Sequence, residues 1–166
     1  MKVLIPLDKT FCSSVAIDSV LNGLWSADTE FEIITVIEFI PEHYSSYARY
    51  LDAYYEAEQH LRHQAEKFIE SKIQLIANRF PHNRVTGNVM IGPAADTILA
   101  RAEAIDANLI VLGTNSRKGL NRLMLGSVAE KVARCARCAV EIVRYKQVVQ
   151  KGTQTKKVLR ESLEPA

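Results

Sequence analysis

Five short apolar runs, separated by stretches with helical periodicity, constrain this chain more than any other feature. They are Val3 to Leu7, Glu32 to Ile37, Val85 to Ile91, Leu109 to Gly113 and Ala139 to Arg144. Several are near-continuous Val, Ile and Leu instead of alternating apolar and polar residues, the pattern of strands covered on both faces. Strands that alternate with helices join through right-handed crossovers into a parallel sheet. The expected fold class is α/β: an open five-stranded parallel sheet with helices on both faces, Rossmann-like. A chain of 166 residues suits one such domain. We place it at residues 1–146. Residues 147–166 show no clear periodicity and read as a flexible C-terminal tail, with a short helix around Val158 to Leu163.

The helices are marked by their caps and stripes. Ser13 or Ser14 is the expected N-cap of the first, with Val15, Ala16, Val20, Leu21 and Leu24 as its apolar stripe. The second runs from Leu51 to Phe80 and is closed by Pro81. Leu61, Ala65, Phe68, Ile69, Ile73, Ile76 and Phe80 share one face of it. Pro93 is expected as the first residue of the third, whose stripe is Ile98, Ala102 and Ile105. The fourth starts at Gly126-Ser127 and ends near Cys135. Phe39 to Tyr50 breaks the pattern after strand two, as either a mobile loop beside a site or a surface connection.

Composition narrows the function. Lys and Arg number 21 against 19 Asp and Glu, a net charge of +2 that predicts no broad footprint for nucleic acid. The longest apolar runs are far too short to span a bilayer, and Asp8 arrives too early for a signal peptide. Three cysteines are too few for a disulfide scaffold and suit a reducing compartment. The expected location is the cytoplasm.

In an open parallel sheet, ligands bind at the carboxyl ends of the strands. Asp8-Lys9-Thr10, Val36 to Glu38 and the stretch from Gly113 onward fall there. Gly113 lacks a Cβ where the backbone turns and a ligand approaches. Gly126 and Ser127 open a helix whose unpaired amides and positive dipole end favour a phosphate. Arg117, Lys118 and Arg122 add positive charge between them. Taken alone, this spacing also suits a structural loop with turn glycines and a solvated basic face.

The stretch resembles the signature of the universal stress protein family, G-x2-G-x9-G-[ST], at Gly113, Gly126 and Ser127. The resemblance runs from Pro6 and Asp8 through Gly92-Pro93 and Leu109 to Gly113, then to Cys138-Ala-Val-Glu-Ile-Val143. It implies the strand order 3-2-1-4-5, a homodimer and, in one subgroup, ATP or AMP binding, with or without magnesium. Asp8, beside Pro6, would then meet the ribose or base, and the backbone around Val36 the adenine. Gly113, Gly126, Ser127 and Val128 would line the phosphates and ribose. The second glycine of the signature is replaced by Ser116, whose Cβ is a handicap at any positive φ and whose hydroxyl is a potential phosphate contact. Arg117 follows it as a phosphate-facing charge.

Other constellations are weaker. Cys135 and Cys138 have C-x-x-C spacing but fall at a helix C-terminus, where the dipole disfavours a thiolate. Glu56, His60 and His63 share a helix face whose polar neighbours mark it as solvated. No set of catalytic residues is evident, so the chain is expected to be no enzyme, with slow ATP hydrolysis the one activity left open. The leading expectation is a nucleotide-binding module that changes state with its ligand and acts through an unidentified protein partner in stress response or signalling. The alternative is a dimeric interaction protein with a degenerate, non-nucleotide-binding site. Strand five, Ala139 to Arg144, is the expected edge through which a homodimer pairs.

Overall fold

The computed structural model describes residues 1–38, 51–114, 125–146 and 157–163. In chain order the elements are β1 (Lys2–Pro6), α1 (Phe11–Leu21), β2 (Glu30–Ile37), α2 (Leu51–Arg79) and β3 (Arg84–Ile91). They continue as α3 (Ala94–Ala104), β4 (Leu109–Thr114), α4 (Ser127–Cys135), β5 (Ala139–Lys146) and β6 (Lys157–Leu163). The five expected strands pair in parallel in the order β3-β2-β1-β4-β5. The chain winds outward from β1 to β3, then crosses back to β4. The direction therefore reverses between β1 and β4, which leaves a crevice at their carboxyl ends.

Two apolar layers sandwich the sheet. Val3, Ile5, Phe31, Ile33 and Val111 meet α1 and α2 on one face. Leu4, Ile34, Ile110, Leu112 and Ile142 meet α3 and α4 on the other. Alternate residues of one strand thus serve opposite cores, which is why these runs read as continuously apolar.

Several helix expectations need correction. The N-cap of α1 is Thr10, whose hydroxyl accepts from the Cys12 amide at 3.3 Å. Ser13 and Ser14 lie inside the helix, and Asp8 and the Phe11 carbonyl take their hydroxyl protons. Leu24 falls beyond the end of α1 and is fully exposed. Trp25 packs inward instead: its ring meets Phe31 edge-on, and its Nε1 donates to the Val20 carbonyl at 2.7 Å. Pro93 is the N-cap of α3, one residue before the helix.

Helix α2 has 29 residues, a length of roughly 44 Å at 1.5 Å per residue. Its neighbour β3 has 8, or about 26 Å at 3.3 Å per residue. The helix must overhang the sheet. Ala65, Ile69 and Ile76 are buried while Leu61, expected on the same stripe, is 41% exposed.

The C-terminal segment departs most from expectation. Lys157–Leu163 is a strand, not a helix, and pairs antiparallel with β5 from Val140↔Leu163 to Lys146↔Lys157. β5 is consequently an inner strand, and the sheet edges are β3 and β6. Val158, Leu159 and Leu163 do not alternate, and Leu159 and Leu163 stand four apart, a spacing that suits a helix as well as a strand. Residues 39–50, where a loop was expected, lie outside the described residues.

Candidate functional site

The carboxyl ends of β1, β2 and β4 and the start of α4 bring several of the sequence candidates to one end of the sheet. Asp8 follows β1 and is exposed. Its amide donates to Ser13 Oγ at 2.6 Å. Three donors converge on its Oδ1: Thr10 N at 2.9 Å, Thr10 Oγ1 at 2.5 Å and Ser13 Oγ at 2.7 Å. This turn locks the carboxylate through one oxygen and directs the entry into α1.

Gly113 closes against the same turn. A Cβ there would stand 1.9 Å from the Cys12 carbonyl oxygen. Glycine is thus required by the approach of α1 to β4, so the ligand-approach reason offered from sequence is not the one the packing supplies. The next residue, Thr114, is 4% exposed, and its Oγ1 is buried without a hydrogen-bond partner among the described residues.

Gly126 is the N-cap of α4 with φ 77° and ψ 144°. That left-handed φ favours glycine, and a Cβ there would meet nothing within 4 Å. Gly126 has no side chain with which to cap the helix, and Ser127 is exposed. By contrast, the first amide of α3 donates to Glu38 Oε1 at 2.7 Å. Sequence reasoning passed over Glu38 in this role; an acidic residue at a strand end facing Gly92-Pro93 was its signal.

Val36, Met90, Leu125 and Val128 are half-buried and pack against the core on the α3–α4 face. Val36 and Met90 are register partners, and Pro6 is buried at the end of β1. These residues make the apolar side of the crevice. Ser116, Arg117, Lys118 and Arg122 lie outside the described residues.

Two of the three thiols are held in their protonated form by burial. Burial raises the Cys12 thiol above its ordinary pKa, with Asp8 adding to the effect and a Thr10 hydrogen bond opposing it. Burial also raises Cys138. Glu56, His60 and His63 are exposed, and the His60 ring hydrogen-bonds Gln64 at 2.6 Å. Among the described residues, no group of His, Cys, Asp or Glu is placed to hold a metal ion.

A separate hollow of about 620 Å³ opens at the amino ends of the strands, with Glu32, Asn88 and Arg101 in its wall. Arg101 Nε lies 2.6 Å and its Nη2 3.1 Å from the two Glu32 oxygens, and Asn88 Nδ2 is 3.0 Å from Oε1. That carboxylate raises the Arg101 pKa. The hollow lies at the opposite end from the crevice, and its central polar groups satisfy one another.

The universal stress protein family profile matches residues 1–144, and the chain belongs to that family. Universal stress protein YxiE of Bacillus subtilis is 28% identical over 156 residues, covering 86% of this chain and 98% of the relative. Universal stress protein MJ0531 of Methanocaldococcus jannaschii is 41% identical over 61 residues, covering 37% of this chain and 36% of the relative. Among solved structures, UspA of Lactobacillus plantarum has a TM-score of 0.64 at 19% identity, covering 86% of this chain and 96% of its own. A universal stress protein in complex with cAMP has a TM-score of 0.56 at 18% identity, covering 86% and 95%. An Arabidopsis thaliana family protein with AMP bound has a TM-score of 0.58 at 16% identity, covering 87% and 91%.

Proposed function

We propose that this chain is a cytoplasmic module that binds an adenine nucleotide, ATP or AMP, at the carboxyl end of its sheet and serves the stress response through protein partners. The observation that carries this reading is the start of α4. A helix N-terminus entered through Gly126 at φ 77°, a residue without a capping side chain, adjoins an exposed Ser127 hydroxyl. The described residues fit such a ligand: Thr114 Oγ1 is buried and unpartnered among them, and one wall is apolar. Solved relatives with cAMP and AMP support the same ligand class.

The adenine ring lies along Val36, beside Pro6. The ribose hydroxyls meet the Asp8 oxygen that the α1 turn leaves uncommitted. The phosphates take the first-turn amides of α4 at Ser127 and Val128, together with the Ser127 hydroxyl, because unpaired helix amides and the positive dipole end favour anions. Ser116 and Arg117, next along the chain from Gly113, supply a hydroxyl and a positive charge to the same phosphates. The nucleotide bridges β1, β2 and α4, so binding favours whichever arrangement of these elements a partner reads. The role is binding; no residue is assigned to turnover.

Calorimetric titration with ATP and with AMP, each with and without magnesium, tests this. Saturable one-to-one binding of either nucleotide is expected. A folded protein that releases no heat with both would favour an interaction protein with a degenerate site.

A further inference from the structure

The carboxyl end of the sheet carries opposite charges at its two sides. Across the order β2-β1-β4-β5, Glu38 follows β2 and Asp8 follows β1, whereas Arg144 lies toward the end of β5. Lys9, beside Asp8, turns its ammonium to Gln64 of α2 at 2.8 Å. The described residues of the crevice are thus acidic over β2 and β1 and cationic over β5. Between them stands Thr114, the last residue of β4.

Thr114 and Arg144 are register partners in the parallel ladder of β4 and β5. Cross-strand partners point to one face of a sheet, and alternation fixes which. Leu112, two residues before Thr114, and Val140 and Ile142, before Arg144, all belong to the core under α3 and α4. Both side chains therefore face the layer of α4. That helix leads the chain from the carboxyl end of β4 back to the amino end of β5, so its first turn is the part that overlies the strand ends. Leu125 and Val128, on either side of its start, pack on the same core.

Thr114 is 4% exposed, and its Oγ1 is buried with no hydrogen-bond partner among the described residues. A hydroxyl buried in that way is destabilising, and a phosphate oxygen beneath α4 would accept its proton. Arg144 is half-buried. Its guanidinium presents paired N–H donors that match two oxygens of one phosphate. The first-turn amides and positive dipole end of α4 approach the same place from above.

We propose that Thr114 and Arg144 form the floor of a phosphate seat roofed by the first turn of α4, and that Arg144 makes the phosphoryl group the main determinant of what binds. The adenine and ribose contacts rest on the nucleotide reading above, whereas the seat itself takes any compact phosphate or pyrophosphate group. Charge sets the direction of the ligand. Its ribose hydroxyls lie toward Asp8 and its phosphate toward β5, since a phosphate turned the other way would face two carboxylates.

Calorimetric titration without magnesium tests the seat, with AMP, adenosine and inorganic pyrophosphate as probes. The wild-type chain is compared with Thr114→Val, Arg144→Met and Arg144→Lys. Wild type should bind AMP more tightly than adenosine. Arg144→Met should weaken AMP and pyrophosphate roughly ten- to a hundred-fold, the range for a lost hydrogen bond to a charged group, and Arg144→Lys should weaken them less. Thr114→Val should weaken both about two- to ten-fold. Its melting temperature should be equal or higher, because valine nearly keeps the shape and removes the unpaired hydroxyl. Adenosine affinity should be unchanged in all three variants.

AMP and pyrophosphate affinities unmoved by Arg144→Met in a folded protein would overturn the seat and leave the nucleotide reading standing. Pyrophosphate binding that depends on Arg144, with neither AMP nor adenosine bound, would uphold the seat and remove the adenine assignment instead. A folded wild-type chain that binds none of the three probes overturns both. If Arg144→Met fails to fold, Thr114→Val decides.

Discussion

The carbonyl oxygen of Cys12 lies 1.9 Å from the place where a Cβ on Gly113 would stand. This contact locks the start of α1 to the end of β4, across the reversal point of the sheet. It also holds the Asp8–Thr10–Ser13 hydrogen bonds at the mouth of the crevice.

Gly113→Ala should therefore act on both stability and ligand. Backbone has no side-chain freedom with which to yield, so the overpacking cost is about 1–3 kcal/mol. Urea unfolding should show a lower midpoint with an unchanged slope. Nucleotide affinity should fall as well, because Asp8 rides on the displaced turn. An alanine variant with wild-type midpoint and affinity would show that the contact is not constraining.

The amino-end pair offers a test of fold without ligand. Glu32 is 9% exposed, and Arg101 answers both of its oxygens. Arg101→Met leaves the carboxylate largely buried with Asn88 as its remaining donor among the described residues, at a cost of about 1–3 kcal/mol. Partial exposure of Arg101 places the outcome toward the lower end. Adding Glu32→Leu should recover most of the loss, since Asn88 is exposed and can turn to water. Nucleotide binding should be unchanged in both variants.

The thiols predict a pH response and a labelling order. Burial raises Cys12 and Cys138 above their ordinary value of 9.0. A raised pKa means the folded chain retains protons that the unfolded chain loses. Their contribution is fully present below the unfolded pKa and is lost as pH rises through the folded one. Stability should thus fall above about pH 9, and less steeply in Cys12→Ala. Alkylation of the native protein at neutral pH should modify the exposed Cys135 first, as read by mass spectrometry.

The five parallel strands were legible because each side of a doubly covered strand must be apolar, and Val3, Ile5, Leu4 and Ile110 show that directly. Helix starts were harder. Thr10, Ser13 and Ser14 are all competent caps, and only the local hydrogen bonds of each hydroxyl, to the Cys12 amide, Asp8 and the Phe11 carbonyl, separate them. β6 escaped notice because an edge strand buries little and needs no period. At the candidate site, Gly126 was legible as a helix entry, and its φ of 77° supplies the backbone reason. The purpose of Gly113 was not, since its neighbour Cys12 is distant in sequence. Glu38 at the start of α3 was hidden for the same reason.

The most direct test of the central claim is amide chemical-shift mapping on isotope-labelled protein titrated with AMP. The account predicts shifts at Asp8, Val36, Gly113, Ser127 and Val128, with Glu32, Asn88 and Arg101 unmoved. Asp8→Ala should weaken the response, and Gly126→Val, strained at its φ of 77° and intruding on the helix entry, should abolish it in a protein that remains folded. Shifts confined to the amino-end hollow, or none at saturating AMP, would contradict it.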